Sequence, residues 1–456
     1  MARERRVLSR REFLGFTIAG ARLTIAPEPV LAGRARPNIL FILADDLGYG
    51  DLGSFGRPDY RTPNLDRLAA QGVRFTHAYS AGVTCTPTRC ALATGRYPAR
   101  LPIGLEEPLL EGRVGGLPCD HPTVASLLGA AGYETALIGK WHLGSLPENG
   151  PTRHGFGTFY GILSGAVDYF THKNQLGTPD LYEDAVAVDR VGYLTDLLTD
   201  RAVSYVSRQR ARPFFLSLHY TAPHWPWQGP DDRDASRSLG HFQQGGSLKI
   251  FADMVHSLDE GVGRVMQALR VTNQDRRTLV IFTSDNGGER YSFHWPLSDW
   301  KGSLWEGGIR VPAVVRWPGK VKAGHTTEQA AISMDWVATM LAGAGAPPDP
   351  RYPLDGMDLL PVCRGDRPPV ERAFYWRTRA WRAGPESGPA QAAARVGRWK
   401  YLHIGQIEHL FDLSTDPGED ADLGSDHPEI LEQLRTGFQK WNADMLPLPG
   451  VLEFPG

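Results

Sequence analysis

Apolar positions along the chain fall into short blocks and long stripes. The blocks, at residues 39–44, 135–138, 214–218, 279–283 and 313–316, are rich in β-branched and aromatic residues and give way to polar residues. Blocks of that kind, separated by long mixed stretches, predict the buried strands of a mostly parallel sheet. Helical spacing predicts helices over 64–71, 124–131, 186–208 and 250–269. The last of these places Ile250, Met254, Val255, Leu258, Val262, Val265 and Met266 on one face. Pro/Gly-rich links at 344–353 and 364–369 predict a boundary, after which come strand-like pieces at 373–377 and 399–404 and a terminal helix near 429–441. The expected fold is α/β: a large mixed, mostly parallel sheet sandwiched by helices over 33–366, then a small C-terminal α+β subdomain with an antiparallel sheet over 367–456.

The residues just past each block are more telling than the block itself. In an open parallel sheet, ligands bind beyond the carboxyl ends of the strands. The first block leads into Asp45-Asp46, the second into Gly139-Lys140-Trp141-His142, the third into His219 and then Pro223-His224, the fourth into Asp285-Asn286. Four strands delivering such groups to one edge predict a single polar site. Asp45, Asp46, Asp285 and Asn286 are hard oxygen donors, suited to Ca²⁺ or Mg²⁺. Adjacent carboxylates repel unless a cation lies between them. Lys140, His142 and His224 add cationic or proton-transferring groups, so the site suits an anion. Gly48-Tyr49-Gly50-Asp51-Leu52-Gly53 matches the dinucleotide fingerprint, but Pro58 and Pro63 delay the next helix and two aspartates would face the phosphates.

Composition narrows the class. The 456 residues carry 49 basic and 51 acidic side chains, a formal charge of -2, which excludes the basic excess of a general nucleic-acid binder. No apolar run reaches the ~18 residues of a spanning helix. Four cysteines are too few for a disulfide scaffold. At the N-terminus, Arg10-Arg11 precedes a modest apolar stretch, and Val30-Leu31-Ala32 offers small residues for cleavage after Ala32. Residues 1–32 therefore read as a twin-arginine export signal, making the translocase a partner and the periplasm or the exterior the destination.

The deciding motif is Cys85-Thr86-Pro87-Thr88-Arg89, continuing to Thr94-Gly95-Arg96. It resembles the signature of the sulfatase family, Cys-x-Pro-x-Arg with a Thr-Gly-Arg tail. Cys90 lacks a proline two residues on, so only Cys85 qualifies. The resemblance extends from Pro37-Asn38 to about Trp441 and implies an alkaline-phosphatase-like fold. It implies that a separate formylglycine-generating enzyme oxidises Cys85. It further implies that Asp45, Asp46, Asp285, Asn286 and the modified residue 85 hold the metal, Ca²⁺ by family habit with Mg²⁺ as the alternative. Lys140, His142, His224 and Lys301 match the family's remaining site positions. Two departures stand out: Thr88 replaces a common serine, and Ser298-Asp299-Trp300 replaces the Arg-Gly-Gly that commonly precedes the late lysine.

By that resemblance, a hydrated formyl group at residue 85 attacks the sulfur of a sulfate ester. Lys140, Lys301 and the metal hold the sulfate, His224 or Lys301 protonates the leaving oxygen, His142 serves as base, and Arg89 orients the diol and a metal-binding carboxylate. The expected activity is hydrolysis of aryl or carbohydrate sulfates. A phosphate- or phosphonate-ester hydrolase of the same superfamily is the alternative, and a catalytically silent secreted binding protein another. Tyr169, Phe170, Trp225, Trp227 and Trp295 could wall an aryl or sugar subsite, although in a chain with 12 Trp such aromatics are more often packing, and the loops at 153–156 and 168–169 could set substrate preference.

Overall fold

The computed structural model describes residues 36–233, 242–379 and 389–449; the expected export signal lies outside them. The main sheet contains β1 (Asn38–Asp45), β2 (Val73–Tyr79), β3 (Glu134–Gly139), β4 (Thr158–Gly161), β5 (Tyr182–Glu183), β6 (Val186–Ala187), β7 (Phe214–Pro223), β8 (Thr278–Ser284), β9 (Arg310–Arg316), β10 (His325–Thr327) and β11 (Ala331–Ile332). Their order is β10-β2-β9-β8-β1-β7-β3-β4-β5-β6, with β11 beside β2. The centre, β8-β1-β7-β3-β4, is parallel throughout, whereas β9 runs antiparallel to β8 and β2. The sheet is thus mixed and mostly parallel, as the sequence predicts.

Strand β1 shows why its residues read as one apolar block. Leu40, Ile42 and Ala44 join a cluster with residues of α1 (Pro63–Ala70), α4 (Leu194–Ser207) and α5 (Leu248–Val271). Ile39, Phe41 and Leu43 join the opposite cluster, with α2 (Cys85–Thr94), α3 (Val124–Ala130) and α7 (Ser333–Ala344). Successive side chains alternate between faces, and helices cover both.

In two places the elements differ from those the sequence predicts, and the dismissal of the dinucleotide fingerprint holds. The helix predicted over 186–208 begins only at Leu194, because Val186–Ala187 pairs with β5 and the Val188 amide donates to the Leu181 carbonyl. Strand β2 is absent from the predicted set although Val73 and Phe75 alternate with Arg74 and Thr76, and so are helices α2 and α7. The Gly48–Gly53 segment is a turn closed by the Gly48 amide on Asp51 Oδ2 at 2.7 Å, and the first α-helix starts at Pro63.

The second sheet is an antiparallel meander, β12 (Ala373–Thr378), β13 (Gln391–Val396), β14 (Trp399–Ile404) and β15 (Ile407–Asp412). On one face Ala392, Ala394, Tyr401 and Leu410 pack against Leu434 and Phe438 of α9 (Pro428–Ala443). On the other, Phe374, Trp376, Ala393, Leu402 and Phe411 share a core with Tyr79, Ile309 and Ile332 of the larger sheet's side. Between these two layers runs α6 (Glu306–Ile309). Among the described residues no helix is long and apolar enough to cross a membrane.

Candidate active site

The parallel register carries four polar chain segments to one edge. β1 and β8 pair Ala44 with Ser284, so Asp45-Asp46 and Asp285-Asn286 leave the sheet side by side. The Asp46 amide donates to Asp285 Oδ1 at 3.2 Å, and Asn286 Nδ2 donates to Asp46 Oδ1 at 2.7 Å. β3 and β7 pair Gly139 with His219, which brings Lys140 to the same edge. Gly139 is required there: at φ 117°, an added Cβ would sit 1.7 Å from the His219 carbonyl oxygen. Asp46 (φ 61°) and His142 (φ 56°) occupy the left-handed region without being glycine, a strain of ~1 kcal/mol or more each that collects at functional sites.

Cys85 opens α2, where the helix N-terminus favours negative charge. Its Sγ lies 3.7 Å from Asp45 Oδ1. Burial pushes the thiol up to about 12 despite Lys140 and Lys301 nearby, so the thiolate needed for nucleophilic attack is scarce. One turn on, Arg89 is 2% exposed. It donates twice to Asp285 Oδ2, at 3.1 and 2.8 Å, and once to the Lys140 carbonyl at 3.0 Å. Arg89 thus grips a carboxylate and a backbone turn.

Lys140 Nζ lies 2.6 Å from Asp45 Oδ2, and Lys301 Nζ 2.7 Å from Asp46 Oδ2. Lys301 therefore reaches the site although its flanking residues depart from the family pattern. Burial opposes its charge, but Asp46 and the other acidic groups around it hold its pKa well above the ordinary lysine range. Burial, reinforced by the lysines, keeps both His142 and His224 well below the ordinary histidine range. Their neutral tautomers follow from their partners, since a carbonyl only accepts. His142 Nε2 donates to the Leu109 carbonyl at 2.9 Å, leaving a buried, unpartnered lone pair on Nδ1. His224 Nδ1 donates to the Trp225 carbonyl at 2.6 Å, so the lone pair of Nε2 lies 3.6 Å from Asp46 Oδ2.

A cation site follows from this donor set. Ligand atoms of Asp45, Asp46, Cys85 and His224 lie within 4.8 Å of one another, all buried. The carboxylate oxygens and the neutral Nε2 have no proton to exchange with each other, and Asn286 Oδ1 beside them is buried without a partner. Such a group satisfies itself on a cation. Three carboxylates (Asp45, Asp46, Asp285) face three cationic side chains (Arg89, Lys140, Lys301), so this cluster is formally balanced without an ion. A divalent cation and a sulfate dianion would preserve that balance.

The aromatic expectations fare differently. Tyr169, Trp225 and Trp227 are core residues; the Tyr169 hydroxyl donates to the Thr221 and His224 carbonyls and so braces the turn that carries His224. Trp295 is 74% exposed. His154 is buried against Trp141, and Asp168 caps its own turn through the amides of Phe170 and Thr171. Sequence reasoning brought His219 to this edge but left it out of the residues given a role; its Nδ1 lies 3.1 Å from the Lys140 carbonyl and 3.5 Å from Arg89. It also left out Glu289, near enough to Lys301 and Asp46 to feel both charges. The positions of His219 just past the third apolar block and of Glu289 three residues past Asn286 were the available signals.

A metal-ready cluster at the carboxyl edge of such a sheet, with a buried cysteine opening a helix beside it, defines a hydrolase of the alkaline-phosphatase-like fold. Comparison with known proteins narrows the class. The sulfatase family model matches residues 37–346, and the model of the N-sulphoglucosamine sulphohydrolase C-terminal region matches 297–443. The chain is 33% identical to N-acetylgalactosamine-6-sulfatase of Sus scrofa, over 92% of this chain and 87% of that protein. It is 37% identical to arylsulfatase A of Bos taurus, over 90% and 88%. Among solved structures, Ps i-CgsB in complex with k-i-k-neocarrahexaose superposes with a TM-score of 0.82 at 34% identity, covering 91% of this chain and 94% of that one. The protein belongs to the sulfatase family and is a sulfuric-ester hydrolase.

Proposed function

We propose that the protein hydrolyses sulfate monoesters of sugars or phenols at residue 85, after Cys85 has been converted to formylglycine by a separate enzyme. The observation that carries this reading is the convergence of proton-free acceptors from Asp45, Asp46 and His224 on Cys85. Asp45, Asp46, Asp285, Asn286 and residue 85 would hold the ion, with His224 Nε2 adjoining, and the hard oxygen set favours Ca²⁺, or Mg²⁺. When bound, the ion would supply charge neutralisation for the sulfate and acidify an oxygen on residue 85. A hydrated aldehyde offers two hydroxyls on one carbon, the first to attack sulfur and the second to expel sulfate without water attacking sulfur.

The chain's own groups do the rest. Lys140 and Lys301, now on Asp45 and Asp46, have the reach and charge to hold sulfate oxygens once a cation takes over those carboxylates. Lys301 keeps a proton for the departing alkoxide or phenoxide. His224, neutral and donating through Nδ1, has no Nε2 proton to give in this form, so Lys301 is the better acid of the two. His142, with its lone pair on Nδ1, takes the proton from the second hydroxyl as sulfate leaves. Arg89 holds Asp285 and the Lys140 turn. Export through the twin-arginine route, to the periplasm or beyond, is proposed from residues 1–32.

The relatives' names point to sugar and aryl sulfates as first substrates to try. The test compares kcat/KM on the sulfate and the phosphate monoester of one phenol, using protein co-expressed with the converting enzyme. A higher value on the sulfate is expected. A clear phosphate preference would reject the reading in favour of phosphomonoester hydrolysis.

A further inference from the structure

A buried ion cluster lies where the C-terminal sheet meets the segment carrying Lys301. Lys400, on β14, lies 3.1 Å from Glu306 Oε1 and 2.6 Å from Glu419 Oε1, and all three side chains are 0% exposed. Tyr79 donates to Glu306 Oε2 at 2.6 Å, with Arg310 at 3.5 Å. Burying such a set commonly stabilises a fold less than apolar residues of similar volume would, so its presence calls for another account.

Glu306 is five residues past Lys301, and that short segment is held from the C-terminal side. The Glu306 amide donates to Glu419 Oε2 at 2.6 Å, the Leu304 amide to Gln391 Oε1 at 2.8 Å, and Ser298 Oγ to the Gly418 carbonyl at 2.5 Å. Within it, the Gly307 amide returns to the Ser298 carbonyl at 2.8 Å. Glu419 achieves this at φ 59°, and Asp299, two residues before Lys301, sits at the same φ of 59°. Non-glycine residues in this region are strained and persist where the surroundings over-determine them. Both adjoin the Ser298–Gly418 hydrogen bond that joins the two segments.

We propose that Lys400 and Glu419 are positioning residues for catalysis: by clamping Glu306 they fix where Lys301 Nζ meets the sulfate group. The inference rests on the reading of Lys301 as a sulfate-holding group. It assigns the C-terminal sheet a part in turnover through residues more than ninety positions from Lys301 in sequence.

The test uses Lys400→Met and Glu419→Asn in the aldehyde-bearing enzyme, with rates normalised to aldehyde content. Asparagine accepts the left-handed backbone but is one methylene too short to serve Lys400 as glutamate does. Both variants are expected to lose about tenfold or more in kcat/KM. Inhibition by inorganic sulfate should weaken by a similar factor. The loss should be steeper for aryl sulfates with poorer leaving groups, because a displaced Lys301 protonates less well. A purely structural cluster would lower the thermal midpoint and leave all three readouts at wild-type values, which would overturn the proposal. If Lys400→Met does not fold, Glu419→Asn alone decides by the same readouts. Wild-type protein without activity on any sulfate ester would instead refute the functional reading, so the two failures are distinct.

Discussion

Replacing Arg89 with methionine removes a charge and three donors from a sealed site while roughly keeping volume. Two hydrogen bonds to Asp285 Oδ2 and one to the Lys140 carbonyl disappear, and Arg89 is almost fully buried, so water replaces none of them. Breaking a buried pair by removing one partner costs ~3–5 kcal/mol, chiefly because the remaining charge is uncompensated. That charge is Asp285, whose pKa burial already raises, assisted by Asp45, with Arg89 as the first opposing influence. A carboxylate with a raised folded pKa stabilises the fold at low pH and loses that contribution as pH rises. Without Arg89 the rise is greater, so the penalty should be larger at about pH 8 than at about pH 5.5. The assay is guanidinium unfolding of the thiol form of both chains in chelator, which excludes any effect of Arg89 on conversion of Cys85. A loss below ~1 kcal/mol, or one that shrinks as pH rises, would refute the reasoning. Arg89→Lys should recover less than half of the loss, since one ammonium does not serve Asp285 and the Lys140 carbonyl in a planar fork.

Lys301→Met should reduce kcat/KM on a sulfate ester by about a hundredfold to a thousandfold, the scale of one oriented charge-stabilising donor, with the folded state retained by circular dichroism; a loss below about threefold would remove Lys301 from the site chemistry. Glu107 is buried beside Arg379, and burial raises its pKa to about 7. Its contribution to stability is therefore present below about 4.5 and fades as pH rises to about 7, up to roughly 3 kcal/mol, and Glu107→Gln should flatten unfolding midpoints across that window. Gly139→Ala should abolish the native fold or destabilise it beyond ~3 kcal/mol, because the added methyl meets the His219 backbone; soluble protein with a wild-type melting curve would contradict the register described. Ca²⁺ at about a hundred times its dissociation constant should stabilise the chelated protein by ~2.7 kcal/mol, measured by thermal unfolding, and indifference to both Ca²⁺ and Mg²⁺ would contradict a cation site.

Much of this was legible because chemistry and periodicity coincided. At the sheet's centre β1 and β8 each ran into a polar pair, while β3 and β7 led to Lys140 and to His219 and His224, and parallel register places such ends together whatever the loops do. Cys85, Pro87 and Arg89 stood close in sequence, so the motif needed no tertiary information to be noticed, although its helicity gave no periodic signal. Less accessible were features created only by packing. Trp225 and Trp227 read from sequence either as subsite walls or as packing, and only the tertiary fold, which buries them, separates the two. The segment at 186–194 carried helical spacing, but pairing of Val186–Ala187 with β5 competed and won. His219 and Glu306 acquire meaning only from partners 130 and 94 residues away in sequence, Arg89 and Lys400. A single sequence gives no local signal for such distances.

The most direct test of the central claim is the mass of the peptide containing residue 85, taken from the most active fraction of protein made alongside the converting enzyme. The account predicts an aldehyde-bearing residue there, with activity on a sulfate ester rising in proportion to its content. Full activity from protein whose residue 85 is entirely an unmodified thiol would contradict it.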